Sequence, residues 1–165
     1  MTRTRIGLIL GVAVLVMALG FVLPRHGAGQ SAPVKRTIYV AAVEPKGGTG
    51  ISSEAYPANS SALTAGPGYV LRPPDSSGRW EISSYQWQPS FILATEGEDV
   101  TLEVVGINGA DHQGFIEGIS VPAFTVKRGQ ITAVNFRAAR PGFYRLVCTN
   151  HLPTMVGFLV VLPRR

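Results

Sequence analysis

From Trp80 to Leu162 the chain is a succession of short runs rich in β-branched and aromatic residues, separated by turn residues and without helical period. The runs predict strands at Trp80 to Tyr85, Ser90 to Ala94, Val100 to Val105, Val121 to Lys127, Gln130 to Arg137, Gly142 to Val147 and Val156 to Leu162. Alternation is cleanest in Thr101-Leu102-Glu103-Val104 and in Thr132-Ala133-Val134-Asn135-Phe136-Arg137, where one face is apolar and the other polar. Lys127-Arg128-Gly129-Gln130 and Arg140-Pro141-Gly142 supply turns. Arg36 to Val43 adds a strand upstream, and residues 44–78, rich in Gly, Ser and Pro, read as irregular surface around one or two short strands. Many short strands with no repeat indicate an all-β, Greek-key β-sandwich.

Ahead of that domain, residues 6–23 form eighteen consecutive apolar or glycine positions preceded by Arg3 and Arg5. As a helix they would span roughly 27 Å, enough to cross a bilayer core. A cleaved signal peptide is the competing reading, but its apolar stretch is shorter, about 7 to 15 residues, and ends at small residues rather than at Leu23-Pro24-Arg25-His26. The expected organisation is a cytoplasmic N-terminus at 1–5, a transmembrane anchor at 6–23 in contact with membrane lipid, a linker at 24–35 and a folded domain at 36–165. The positive-inside tendency puts that domain on the extracytoplasmic face of the cell membrane.

The net charge of +5 suggests a nucleic-acid partner only until it is divided along the chain. From residue 30 onward twelve Lys and Arg face ten Asp and Glu, which leaves +2, and no basic tract or aromatic platform remains. Nucleic-acid binding is therefore not expected. With one cysteine in the whole chain, an intrachain disulfide is excluded.

Beyond the first thirty residues there are two histidines, one cysteine and one methionine. His112 lies in Asp111-His112-Gln113-Gly114-Phe115, and the others share Cys148-Thr149-Asn150-His151-Leu152-Pro153-Thr154-Met155. Two imidazoles, a thiolate and a thioether are the donors of a trigonal His₂Cys copper site with a weak axial Met. An extended backbone advances about 3.3 to 3.6 Å per residue, so Cys148 and His151 reach one ion only if Thr149 and Asn150 turn. Each residue has a plainer alternative: Cys148 as a small core hydrophobe, His112 as a polar loop residue, Met155 as packing at a strand start with a carbonyl near Asp111 or nothing in the axial place. Zinc on His112, Cys148 and His151 is a second metal reading. His26 sits in the linker and reads as a membrane-interface residue.

The stretch from Trp80 to the C-terminus resembles the cupredoxins, and most closely the copper-binding domain of cytochrome c oxidase subunit II of the single-anchor kind. The matching pieces are Tyr85-Gln86-Trp87-Gln88-Pro89, Asp111-His112 with Gly114-Phe115 and Glu117-Gly118, Pro141-Gly142-Phe143-Tyr144, the spacing from Tyr144 to Cys148, and Met155-Val156-Gly157. Gln113 departs from the family pattern, in which His stands next to Gly-Phe or Ser-Phe. A larger departure is the ligand loop. Subunit II carries Cys-x-x-x-Cys-x-x-x-His-x-x-Met around two coppers, whereas this chain has Cys-x-x-His-x-x-x-Met and no second thiolate. The shortened loop resembles that of the mononuclear blue-copper proteins. The resemblance also implies that an aromatic segment near the metal assists electron input, which would extend to Trp87 and Tyr85; the alternative is that both fill the sandwich.

These readings predict a membrane-anchored electron carrier with one copper ion cycling between Cu(II) and Cu(I). Its redox partners would be a cytochrome c or another cupredoxin, and a haem-copper oxidase large subunit if the chain is an atypical subunit II. The competing functions are a catalytic mononuclear copper site, which would need an open coordination position, and copper delivery to an oxidase.

Overall fold

A computed structural model describes residues 32–62 and 66–165. Twelve strands follow one another: β1 Lys35–Val43, β2 Lys46–Gly50, β3 Tyr69–Arg72, β4 Arg79–Ser84, β5 Gln86–Gln88, β6 Phe91–Thr95, β7 Asp99–Gly106, β8 Asp111–Ile116, β9 Phe124–Lys127, β10 Ile131–Arg137, β11 Gly142–Cys148 and β12 Val156–Leu162. Single 3₁₀ turns occupy Ser60–Ala62 and Thr149–His151. The anchor expected at 6–23, the cytoplasmic segment at 1–5 and His26 lie outside the described residues. Among the described residues no helix is long and apolar enough to cross a membrane.

The strands form a four-stranded sheet in the order β10-β7-β1-β5, a five-stranded sheet in the order β6-β12-β11-β8-β9 and a small sheet in the order β2-β4-β3. Most pairs are antiparallel, but β1 runs parallel to β7 and β6 runs parallel to β12, so strands distant in sequence become neighbours. The two larger sheets share one core, to which Val40, Leu102 and Val134 contribute from the first, and Ile92, Leu146 and Leu159 from the second. The result is an all-β sandwich. Strict alternation in β7, with Val100, Leu102 and Val104 buried, follows from the period of two that its sequence displays. Fully burying one such side chain stabilises the fold by about 1.5 to 3 kcal/mol.

The expected strands are present with ends shifted by a residue or so, except that Val121–Lys127 shortens to the four residues of β9. The one or two short strands expected within residues 44–78 are β2 and β3, whereas β5 was not expected. The important correction is β8. No predicted strand includes His112, and it sits on a strand paired to both β9 and β11. Its inward positions are His112, Gly114 and Ile116, so a histidine and a glycine occupy places where aliphatic residues would have revealed the alternation.

The outer faces of the two large sheets differ. On the four-stranded sheet Thr101 hydrogen-bonds Asn135 and Asp99 pairs with Arg137. On the five-stranded sheet the exposed residues include Phe91, Leu93, Phe143 and Leu162, with Phe91 stacked on Phe158.

Candidate metal centre

The site forms at the end of the sandwich where β11 leaves the core. Cys148 is the last residue of β11 and pairs with Gly114 of β8. His112 is two residues back along β8, and positions i and i+2 of a strand share a face, so the thiol and the imidazole enter the same interior. Thr149–His151 then make one 3₁₀ turn, the reversal that Thr149 and Asn150 were expected to provide. Two backbone bonds close the loop: Met155 N–H donates to the His151 carbonyl at 3.0 Å, and Cys148 N–H donates to the Met155 carbonyl at 3.0 Å.

One donor atom from each of His112, Cys148 and His151 falls within 4.8 Å of the others. Cys148 Sγ and His151 Nδ1 are 3.4 Å apart. Cys148, His112 and Met155 have no exposed surface, while His151 is partly exposed. Met155 is packed in the same core as Cys148, its backbone tied to both Cys148 and His151.

The His112 ring shows how the site is prepared. Its Nε2 lies 2.9 Å from the Asn108 carbonyl, which can only accept, so Nε2 carries the proton. Nδ1 is then an unprotonated nitrogen, buried and without a hydrogen-bond partner. A buried polar atom left alone is costly, and a backbone carbonyl that sets the tautomer of an imidazole is a recurrent support of metal ligands. The orphaned nitrogen, next to a thiol and a second imidazole, fits a metal ion.

Electrostatics agree with that preparation. Burial pushes the Cys148 thiol above its ordinary value, although backbone N–H groups of Asn150, Gln113 and His151 at the sulfur partly oppose it. The thiolate is therefore formed when a cation takes the place of the proton. Burial, together with the nearby His112, holds His151 below the usual histidine range, against smaller opposing effects of Asp111 and Glu44. A neutral His151 has a lone pair to offer.

The two aromatic candidates separate. Trp87 is 1% exposed and lies in the core, its ring 6.3 Å from that of His112 and its buried indole N–H unpartnered. Tyr85 stacks on the His151 imidazole, with centroids 3.6 Å apart and planes at 13°, and meets His112 edge-on at 5.8 Å.

Several supporting residues had escaped sequence reasoning. Asn108 clasps the end of β1: Glu44 N–H donates to its Oδ1 at 2.7 Å and its Nδ2 donates to the Glu44 carbonyl at 2.8 Å. Gly109, at φ +86°, is the turn after it, and a Cβ there would lie 2.9 Å from His112 Nε2. Gly68 N–H donates to the Leu152 carbonyl at 3.0 Å, and Thr154 Oγ1 donates to the carbonyls of Gly68 and Tyr85. Asn150 Nδ2 donates to Asp111 at 2.8 Å, which ties the ligand turn to β8. The Asn-Gly pair at 108 and 109 was visible as a turn signal; Asn150 was expected to turn but not to bond Asp111, and nothing local marked Gly68 or Thr154.

No family of known proteins matches the chain, and neither does any curated protein. Solved structures do. A copper nitrite reductase from Nitrosomonas europaea superposes with a TM-score of 0.51 at 15% identity, covering 79% of this chain and 42% of that one. A multicopper oxidase from Pseudomonas thermotolerans gives 0.50 at 13% identity, covering 81% and 31%. A haem-copper terminal oxidase dimer gives 0.38 at 21% identity over 44% of this chain and 50% of that one. The chain thus spans half or less of the length of these structures. The likeness to the first two identifies the fold as cupredoxin-like.

Proposed function

We propose that this chain is a membrane-anchored copper protein that passes single electrons in a respiratory chain, with one type 1-like copper held by His112, Cys148 and His151 and axially by Met155. The observation that carries the reading is the convergence of three N and S donors within 4.8 Å around a buried, unpartnered imidazole nitrogen. One softer donor, Met155, is buried at the foot of the same loop. Thiolate, imidazoles and thioether together favour copper over zinc.

Copper supplies a one-electron Cu(II)/Cu(I) couple when bound; the chain's residues determine how little else changes. Asn108 fixes the His112 tautomer, the two backbone bonds of the loop hold Cys148 and His151 at one separation, and three backbone N–H groups stabilise charge on the Cys148 sulfur. Donors that sit on or beside β8, β11 and β12 of one sheet, with the His112 ring braced by Asn108, keep reorganisation small. With Cys148, His112 and Met155 sealed from solvent, the partly exposed His151 side is the one approach these donors leave to a substrate, which weighs against a catalytic copper. His151, the donor nearest solvent, offers the shortest route for an electron. A single cysteine rules out the thiolate-bridged pair of coppers.

In this reading residues 6–23 hold the domain at the extracytoplasmic face of the membrane. Its redox partners are a cytochrome c or another cupredoxin, and, as an atypical subunit II, a haem-copper oxidase large subunit. The test is to load the full-length chain in detergent with Cu(II) and record visible absorption and electron paramagnetic resonance. The expected result is an intense thiolate-to-copper band with a one-copper hyperfine pattern, both lost in Cys148→Ser. A weak tetragonal spectrum, or no stoichiometric copper, refutes the reading.

A further inference from the structure

The two imidazoles of the site are held in different ways. His112 is anchored by the Asn108 carbonyl. Among the described residues the His151 ring makes one polar contact, with the Cys148 sulfur, and it sits on a three-residue turn. It is also the partly exposed member of the pair. What restrains its ring plane is the parallel face of Tyr85 at 3.6 Å.

Tyr85 is itself fixed at every point from which it could swing. Its N–H donates to the Gly68 carbonyl at 2.7 Å and its carbonyl accepts from Thr154 Oγ1 at 2.9 Å. Its hydroxyl is close enough to the buried Glu44 carboxylate to sense its charge, and that carboxylate pairs with Lys46 at 3.1 Å. The Glu44 backbone is in turn clasped by Asn108, the residue whose carbonyl holds His112. Asn108 thus reaches one imidazole through its carbonyl, and Tyr85 reaches the other through a ring face.

We propose that Tyr85 is a positioning residue for His151, its stacked ring fixing the imidazole plane for metal binding. This inference rests on the proposed metal site. The ring face matters, rather than the hydroxyl alone, because stacking restricts rotation of the imidazole about its own bond. Loss of an outer support of this kind typically weakens metal affinity by about 10- to 100-fold.

The test begins with the metal-free, full-length protein in detergent micelles. The His151 ring protons are expected upfield of free histidine from the Tyr85 ring current, in wild type and in Tyr85→Phe, and at ordinary positions in Tyr85→Leu. Loaded with Cu(II), Tyr85→Leu is expected to lose metal to a chelator at least ~10-fold faster than wild type and to shift in midpoint potential, while Tyr85→Phe stays within about 2-fold. Unshifted His151 protons in wild type would overturn the proposal without recourse to any variant. So would a Tyr85→Phe that releases copper as fast as Tyr85→Leu, or a Tyr85→Leu that matches wild type. Upfield His151 protons in a wild-type protein that takes up no stoichiometric copper would instead refute the metal reading and leave the stack standing.

Discussion

Gly68 is where the small sheet meets the ligand loop, and replacing it with alanine exposes how much of the site is built from close backbone contact. A Cβ at Gly68 would stand 2.6 Å from the His151 carbonyl oxygen, 2.6 Å from Thr154 Oγ1 and 2.9 Å from the Leu152 carbonyl carbon. Favourable separation between such atoms is about 3.5 Å or more, so the loop must retreat by roughly 0.5 to 1 Å. Thr154 could rotate, at the expense of its bonds to Gly68 and Tyr85; the two backbone atoms cannot. Overpacking of this sort costs about 1 to 3 kcal/mol, and the bond from Gly68 N–H to Leu152 is worth about 1 more if it breaks. Gly47 is the internal control, since a Cβ there meets nothing within 4 Å. In urea unfolding of the metal-free protein, followed by tryptophan fluorescence, Gly68→Ala is expected to lose about 2 to 3 kcal/mol and Gly47→Ala less than about 0.5. The thiolate-to-copper band of the loaded protein should also shift in Gly68→Ala alone. Equal urea midpoints for the two variants, with an unchanged band, would refute the close-contact argument.

Three further outcomes are expected. Asn108→Ala removes both side-chain bonds to the Glu44 backbone and should cost about 2 kcal/mol in the same urea assay, with a loss under about 0.5 counting against the clasp. Trp87→Phe gives up no hydrogen bond, because the indole N–H has no partner, so it should cost well under the ~3 to 5 kcal/mol of Trp87→Ala; similar losses would mean that the indole N–H is satisfied after all. Burial opposes ionisation of Glu44, but hydrogen bonds from Lys46, Ser83 and Tyr85 and the Lys46 charge outweigh it and hold the carboxyl below its ordinary value. A carboxyl lowered by folding contributes stability that is complete above its ordinary value and lost as pH falls through the folded one. Thermal unfolding should therefore show wild type ahead of Glu44→Gln at neutral pH, with the gap closing in acid, whereas a gap that is constant with pH would show that the charge is not involved.

The order of the aromatic pair illustrates what proximity in sequence conceals. Tyr85 and Trp87 are two residues apart and carry the same family resemblance. Tyr85 ends in ring contact with His151, while Trp87 becomes core. Residues at i and i+2 on a regular strand would share a face, but β4 ends at Ser84 and β5 starts at Gln86, so Tyr85 belongs to the joint between two sheets.

By itself the sequence singled out the candidate donors and the class of fold. Cysteine, histidine and methionine declare their chemistry by type and spacing within one loop, and alternation along β7 and β10 declares a half-buried strand; both signals are local, carried by residues within a few positions of one another. The tertiary structure alone decided how the donors are held. His112 lies on β8, whose inward His and Gly carry no hydrophobic period, and its tautomer depends on a backbone carbonyl. Gly68 touches a loop 83 to 86 residues away, Tyr85 stacks on a histidine 66 residues on, and Asn108 clasps Glu44 across 64. Such contacts leave no pattern in a single sequence, because they exist only once the strands have paired and brought distant segments together, as the parallel pairing of β1 with β7 does for Glu44 and Asn108.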